Sequence, residues 1–154
     1  MYKAIIVEDE LHSWQFLKNI IAEYCKQIDI VAIANNVVEG VAAISQHKPD
    51  IVFLDIEMQT GTGFDLLQQF QKPDFEVIFT TAYDHYALKA IKFSAVDYLL
   101  KPIDIAELQL SVEKAIERKK NQTGQVALQM LLKNLQSPQQ SEQSITLSTS
   151  DGLE

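Results

Sequence analysis

The stretch Asp50-Ile-Val-Phe-Leu-Asp55-Ile-Glu-Met58 decides how this chain folds. Four apolar residues in succession, Ile51 to Leu54, leave no polar face, so the segment suits a strand covered on both sides rather than one half open to water. The same kind of run recurs outward in both directions, at Lys3–Glu8 (KAIIVE), Asp29–Ala34 (DIVAIA), Glu76–Thr81 (EVIFTT) and Val96–Leu100 (VDYLL). Between the runs the apolar period becomes helical. Trp14, Leu17, Ile21 and Tyr24 share the spacing of one helix face, and Ile105, Leu108, Val112 and Ala115 repeat it. Asn36 and Glu39 read as N-cap and capping-box partner of a helix through His47, closed by Pro49. Further helices are expected at Phe64–Gln71 and Asp84–Phe93. Strand and helix in alternation call for parallel strands joined by crossover helices, which makes residues 1–121 an α/β domain of (βα)5 type.

The chain then changes character. Leu128, Leu131, Leu132 and Leu135 make one more apolar helical face, continuing the fifth helix across Gly124, and that face needs a partner surface. Gln136–Ser144 holds only Gln, Ser, Pro and Glu, so 122–144 reads as a helical extension running into a polar linker. Ile145–Ser148 alternates like a strand and Ser150-Asp151-Gly152 like a turn, the expected opening of a second domain over 145–154.

Composition narrows the function. With 154 residues, 47% of them hydrophobic and 22% charged, the chain can build a core without disulfides or a structural metal. Its single cysteine, Cys25, cannot pair internally and reads as a reduced side chain packed on a helix, which favours the cytoplasm. Thirteen Lys and Arg against 21 Asp and Glu give a net charge of −8, a surface that repels nucleic acid and anionic lipid. No apolar run reaches the roughly 18–20 residues of a membrane span, and Met1 leads straight into a strand-like segment without a signal-peptide pattern.

In open parallel sheets, ligands bind outside the carboxyl ends of the strands. The first strand ends in Glu8-Asp9-Glu10, the third in Asp55-Ile56-Glu57, the fourth in Thr81-Ala82 and the fifth in Lys101-Pro102. If strands one and three are neighbours, Glu8, Asp9 and Asp55 converge. Clustered carboxylates are relieved by protonation or by a divalent cation, and an all-oxygen donor set selects Mg²⁺ or Mn²⁺. Lys101 would add a positive charge and Thr81 a hydroxyl donor for a phosphoryl oxygen. Together they describe an aspartate that attacks phosphorus to become an acyl phosphate. Singly, each residue has a structural reading: Asp after a strand caps helices, Thr favours strands, Lys-Pro makes turns. Four complementary rim positions in sequence are hard to explain as capping.

Glu8-Asp9, Ile51-Val-Phe-Leu-Asp55-Ile-Glu-Met58 with Gly63, Thr81-Ala82 and Tyr98-Leu-Leu-Lys101-Pro102 resemble the receiver domain of two-component response regulators over residues 1 to about 121. The resemblance implies a flavodoxin-like doubly wound sheet of strand order 2-1-3-4-5. It makes Asp55 the phosphoacceptor and a sensor histidine kinase the partner. Asp9, Asp55 and the backbone carbonyl of Glu57 would bind Mg²⁺ (or Mn²⁺), and Glu8 would act through a metal-bound water. Thr81 and Lys101 would hold the phosphoryl oxygens, and Tyr98 would be the aromatic switch. Glu57 and Tyr83 resemble the variable positions that tune phosphate lifetime. One position departs: the family commonly has Pro four residues after the phosphoacceptor, where this chain has Gln59.

Thr81-Ala-Tyr-Asp-His-Tyr-Ala-Leu88 and Ala95-Val-Asp-Tyr-Leu-Leu-Lys-Pro-Ile103 are similar to receivers of the LytTR (LytR/AlgR) type, which precede a β-rich DNA-binding domain. Ile145–Gly152 is similar to that domain's opening strand, so DNA binding is expected only through an output domain. Tyr83, Tyr86, Leu88 and Phe93 cannot all face the sheet at a 3.6-residue period. The face of the fourth helix and fifth strand is therefore expected to form a homodimer contact on phosphorylation; periodicity equally allows simple packing.

Other classes fit less well. Neither a dinucleotide fingerprint nor a P-loop follows the first strand, and its Glu-Asp-Glu loop would repel phosphate without a metal, which also disfavours an FMN carrier. A small Mg²⁺-dependent phosphohydrolase using Asp55 would need a general acid, for which Glu57 is the nearby candidate, and a cap. An interaction module indifferent to phosphate would not need Glu8, Asp9, Asp55, Thr81 and Lys101 together. His12, His47 and His85 lie in separate segments without ligand spacing.

Overall fold

In the computed structural model, which describes residues 1–135 with 123–127 as backbone alone, five parallel strands form the main sheet. They are β1 (Tyr2–Val7), β2 (Ile28–Ala34), β3 (Ile51–Asp55), β4 (Glu76–Thr81) and β5 (Asp97–Leu100), alternating with α1 (Leu11–Tyr24), α2 (Val37–His47), α3 (Gly63–Gln68), α4 (Ala87–Lys92) and α5 (Ile105–Leu135). The sheet order is β2-β1-β3-β4-β5, the flavodoxin-like arrangement expected from the sequence.

Strand alternation explains why the runs had to be apolar throughout. Ala4, Ile6, Ile51, Phe53 and Ile78 join one core with Leu17, Ile20 and Ile21 of α1 and Leu108, Val112 and Ala115 of α5. The residues between them, Ile5, Val7, Val52, Leu54, Val77 and Phe79, join a second core with Ile44 of α2, Phe64, Leu66 and Leu67 of α3 and Ala90 of α4. Successive side chains point to opposite faces, and each face here carries helices. Phe53, Phe64 and Phe79 are fully enclosed, each contributing about 1.5–3 kcal/mol by burial.

Local signals set the helix ends. Asn36 Oδ1 accepts from the Glu39 amide at 2.8 Å, and Glu39 in return accepts from the Asn35 amide at 3.0 Å. Thr62 and Asp65 form a reciprocal capping box on α3. Cys25 caps the end of α1 and is buried as a free thiol in the first core. On α1 the buried positions are Leu17, Ile20 and Ile21, while Tyr24 is exposed, so the face is rotated toward Ile20 relative to the expected one. Helices α3 and α4 are shorter than expected, six residues each. An antiparallel ribbon of Glu57–Met58 against Gly61–Thr62, absent from the sequence reading, occupies the turn after β3.

The chain separates into two units, Met1–Arg118 and the residues from Lys119 onward. In the second unit the described part is helical, and Leu128, Leu131, Leu132 and Leu135 are exposed. The expected linker and second-domain opening over 136–154 lie outside the described residues. Among the described residues no helix is long and apolar enough to cross a membrane.

Candidate functional site

Register brings the strand ends level. Val7 pairs with Leu54, Asp55 with Thr80, and Thr81 with Leu100, so the residues that follow β1 and β5 meet the last residues of β3 and β4 at one rim. Glu8, Asp55 and Thr81 are among the few buried polar side chains of the described residues, and all three lie at this rim.

Carboxylate oxygens of Glu8, Asp9 and Asp55 lie within 4.8 Å of one another. Lys101 Nζ reaches Glu8 Oε1 at 2.5 Å and Asp55 Oδ2 at 3.7 Å. When ionised, three carboxylates against one ammonium leave two negative charges uncompensated in a largely buried space. Burial first, and then the adjacent Glu8 charge, push the Asp55 carboxyl up to about 8, with Lys101 pulling the other way. A divalent, oxygen-seeking cation is the counter-charge this donor set fits.

Glu10, third in the acidic run, has a different task. Its side chain caps α1, accepting from the amides of Ser13 at 2.8 Å and His12 at 3.3 Å, and those bonds hold its carboxyl below the ordinary range. Its own amide donates to Glu8 Oε2 at 3.1 Å, turning Glu8 toward the rim. His12 is thereby an exposed first-turn residue.

Asp9 Oδ2 accepts from the Gln59 backbone amide at 2.8 Å. This bond gives the Gln59 position a physical meaning, because proline there would have no N–H to donate. Thr81 Oγ1 accepts from the Tyr83 amide at 3.2 Å, which ties the rim hydroxyl to the loop before α4. The Tyr98 hydroxyl donates to the Tyr83 carbonyl and accepts from the Tyr86 amide at 3.3 Å. Helix α4 has no side chain of its own at its cap, so Tyr98 serves there from the neighbouring strand. The Tyr86 hydroxyl donates to the Glu57 carboxylate, which pushes the phenol up to about 12. Sequence reasoning singled out Tyr98, Tyr83 and Glu57 but not the Tyr86–Glu57 bond, for which no local spacing gives a signal.

Residues 4–113 match the response regulator receiver domain family. The chain belongs to it. This receiver is 36% identical over 138 residues to the transcriptional regulatory protein BtsR of Escherichia coli K12, covering 88% of this chain and 55% of that protein. It is 35% identical over 125 residues to the sensory transduction protein LytT of Bacillus anthracis, covering 79% and 50%. These relatives accord with the LytTR resemblance. The solved response regulatory domain of protein mrkE from Klebsiella pneumoniae superposes with a TM-score of 0.69 at 30% identity, covering 77% of this chain and 98% of that chain. The receiver spans about half the length of the curated relatives it matches.

Proposed function

We propose that this receiver is phosphorylated on Asp55 by a sensor histidine kinase with Mg²⁺ and passes the event to a transcriptional output domain. The convergence of Glu8, Asp9 and Lys101 on a buried Asp55 carries the reading. Asp9, Asp55 and the Glu57 carbonyl would hold Mg²⁺ (or Mn²⁺), with Glu8 acting through water, and the ion would supply the positive charge that three carboxylates and an incoming phosphoryl group require. A carboxylate oxygen of Asp55 attacks the phosphorus of a phosphohistidine, the phosphorus–nitrogen bond breaks, and imidazole leaves. Lys101 exchanges part of its contact with Glu8 for a phosphoryl oxygen, and the Thr81 hydroxyl turns from the Tyr83 amide to donate to another. Tyr98, bonded to the same loop, follows as the switch. Glu57 and Tyr83 flank the phosphorylated group and tune its lifetime.

Residues 1–121 are then the regulatory domain, 122–144 a helical extension and linker, and 145–154 the beginning of a LytTR-type DNA-binding domain, in a cytoplasmic protein. The exposed Leu88 and Ile91 on α4 and Leu100 on β5 supply a homodimer face favoured by phosphorylation. Intact-mass measurement after incubation with an acyl phosphate and Mg²⁺ tests the assignment. Wild type is expected to gain one phosphoryl group and Asp55→Ala none; no adduct on wild type, or an adduct surviving in Asp55→Ala, overturns it.

A further inference from the structure

Glu57 follows Asp55 by two residues, and the intervening Ile56 is fully buried in the core formed with α2, α3 and α4. Strand alternation therefore returns the Glu57 side chain to the rim side that Asp55 occupies. An exposed carboxylate there is free to turn in solvent, yet this one is held by the Tyr86 hydroxyl. Tyr86 is itself well seated: its ring packs on His85 at 4.2 Å and on Phe64 at 6.0 Å between centroids, and its amide donates to the Tyr98 hydroxyl. The bond thus spans from the loop after β3 to the start of α4.

We infer that Tyr86 is a positioning residue that restrains the Glu57 carboxylate and thereby sets how slowly the acyl phosphate on Asp55 is hydrolysed, an inference resting on Asp55 phosphorylation. In hydrolysis, water oxygen attacks phosphorus, the bond from phosphorus to the Asp55 oxygen breaks, and the Asp55 carboxylate is released. The water's proton passes to a nearby base and then to solvent, leaving inorganic phosphate. A carboxylate two residues from the acyl group is such a base once its oxygen is unoccupied. While Tyr86 donates to it, that oxygen is engaged and drawn toward α4. The tether keeps the base away from the attacking water.

The test follows decay of the phosphoryl adduct by intact mass after the acyl-phosphate donor is removed, in wild type, Tyr86→Phe, Glu57→Gln and the double variant, with Mg²⁺ present throughout. Phenylalanine keeps the ring on Phe64 and removes only the hydroxyl. Tyr86→Phe is expected to lose its adduct about three- to tenfold faster than wild type, a fraction of what a well-placed general base supplies. Glu57→Gln and the double variant are expected to decay alike and no faster than wild type, because the acceleration needs the carboxylate. Decay of Tyr86→Phe at the wild-type rate overturns the inference. So does equal acceleration in the Glu57→Gln background, which would mark general loosening of the loop. Wild type that never gains a phosphoryl group fails the underlying Asp55 assignment instead, and the inference with it.

Discussion

Gly63 is the first residue of α3 and sits directly against the Asp55 backbone. Its amide donates to the Ile56 carbonyl at 2.8 Å, and a Cβ built on it would lie 2.6 Å from the Asp55 carbonyl oxygen and 2.9 Å from Leu54 Cγ. Ordinary contact begins at 3.4 Å, so Gly63→Ala forces the Asp55 backbone or the start of α3 to retreat by about 0.8 Å. The nearest obstructing atom is backbone, which has no side-chain rotation by which to move aside. Overpacking of this kind costs about 1–3 kcal/mol, and alanine's helical advantage over glycine returns at most about 1 kcal/mol. A net loss of about 1–2 kcal/mol lowers the urea midpoint by roughly 0.5–1 M at an ordinary m-value of about 2 kcal/mol per molar. Because the displaced atoms carry Asp55 and lead to Glu57, Mg²⁺ affinity measured by calorimetry should weaken as well. Gly40→Ala is the control: its Cβ also meets an atom at 2.6 Å, but that atom is Leu66 Cδ1, the movable end of a side chain. It should lose less stability and bind Mg²⁺ normally. A Gly63→Ala protein with wild-type midpoint and affinity would refute the claim that α3 is seated against the Asp55 backbone.

The raised Asp55 carboxyl has a pH signature in chelator. The native state keeps a proton up to about 8 that the unfolded chain sheds near 3.8, so stability falls as pH rises between those values, by up to about 1.4 kcal/mol per pH unit. Asp55→Asn should flatten that slope in urea melts and be the more stable protein at neutral pH; an unchanged slope would place the strain elsewhere. At Gln59, alanine keeps the amide that donates to Asp9 and proline does not. Calorimetry should find Gln59→Ala within about twofold of wild-type Mg²⁺ affinity and Gln59→Pro about tenfold tighter or more, since a hydrogen bond to a charged group is worth about 1.5–3 kcal/mol and about 1.4 kcal/mol is tenfold. Equal affinities would show that the bond does not compete with the metal. Sedimentation with a phosphoryl mimic should double the mass of wild type and leave Leu88→Glu and Ile91→Glu monomeric; an unchanged wild-type mass would count against the α4–β5 dimer face.

What the sequence made legible is what repeats or alternates. Ile51 to Leu54 had to be a doubly covered strand, and once β1 and β3 are neighbours the gathering of Glu8, Asp9 and Asp55 follows from their places after apolar runs. The Asn36–Glu39 capping pair was readable because both partners announce themselves by side-chain type. Other features depend on the three-dimensional path. Gln59 meets Asp9 through a backbone amide, which no residue letter reports. Glu57 and Tyr86 lie 29 residues apart and meet only because β3 and β4 are adjacent. Glu10 follows Glu8 and Asp9 in an acidic triplet, yet the start of α1 claims it as a cap. Helices of six residues such as α3 and α4 carry too few turns for their periodicity to define their ends.

The Lys101 amide donates to the Thr81 carbonyl at 2.7 Å, so the two residues proposed to grip a phosphoryl group are also stitched to each other through the backbone. β5, from which Lys101 emerges, is an outermost strand of the sheet, whereas β3 is flanked on both sides. A pull applied at the rim thus acts on a frame clamped at its centre and compliant at its margin. If Asp55 is phosphorylated as proposed, work done on phosphorus would reach this outermost strand, the one that carries Tyr98 and Leu100.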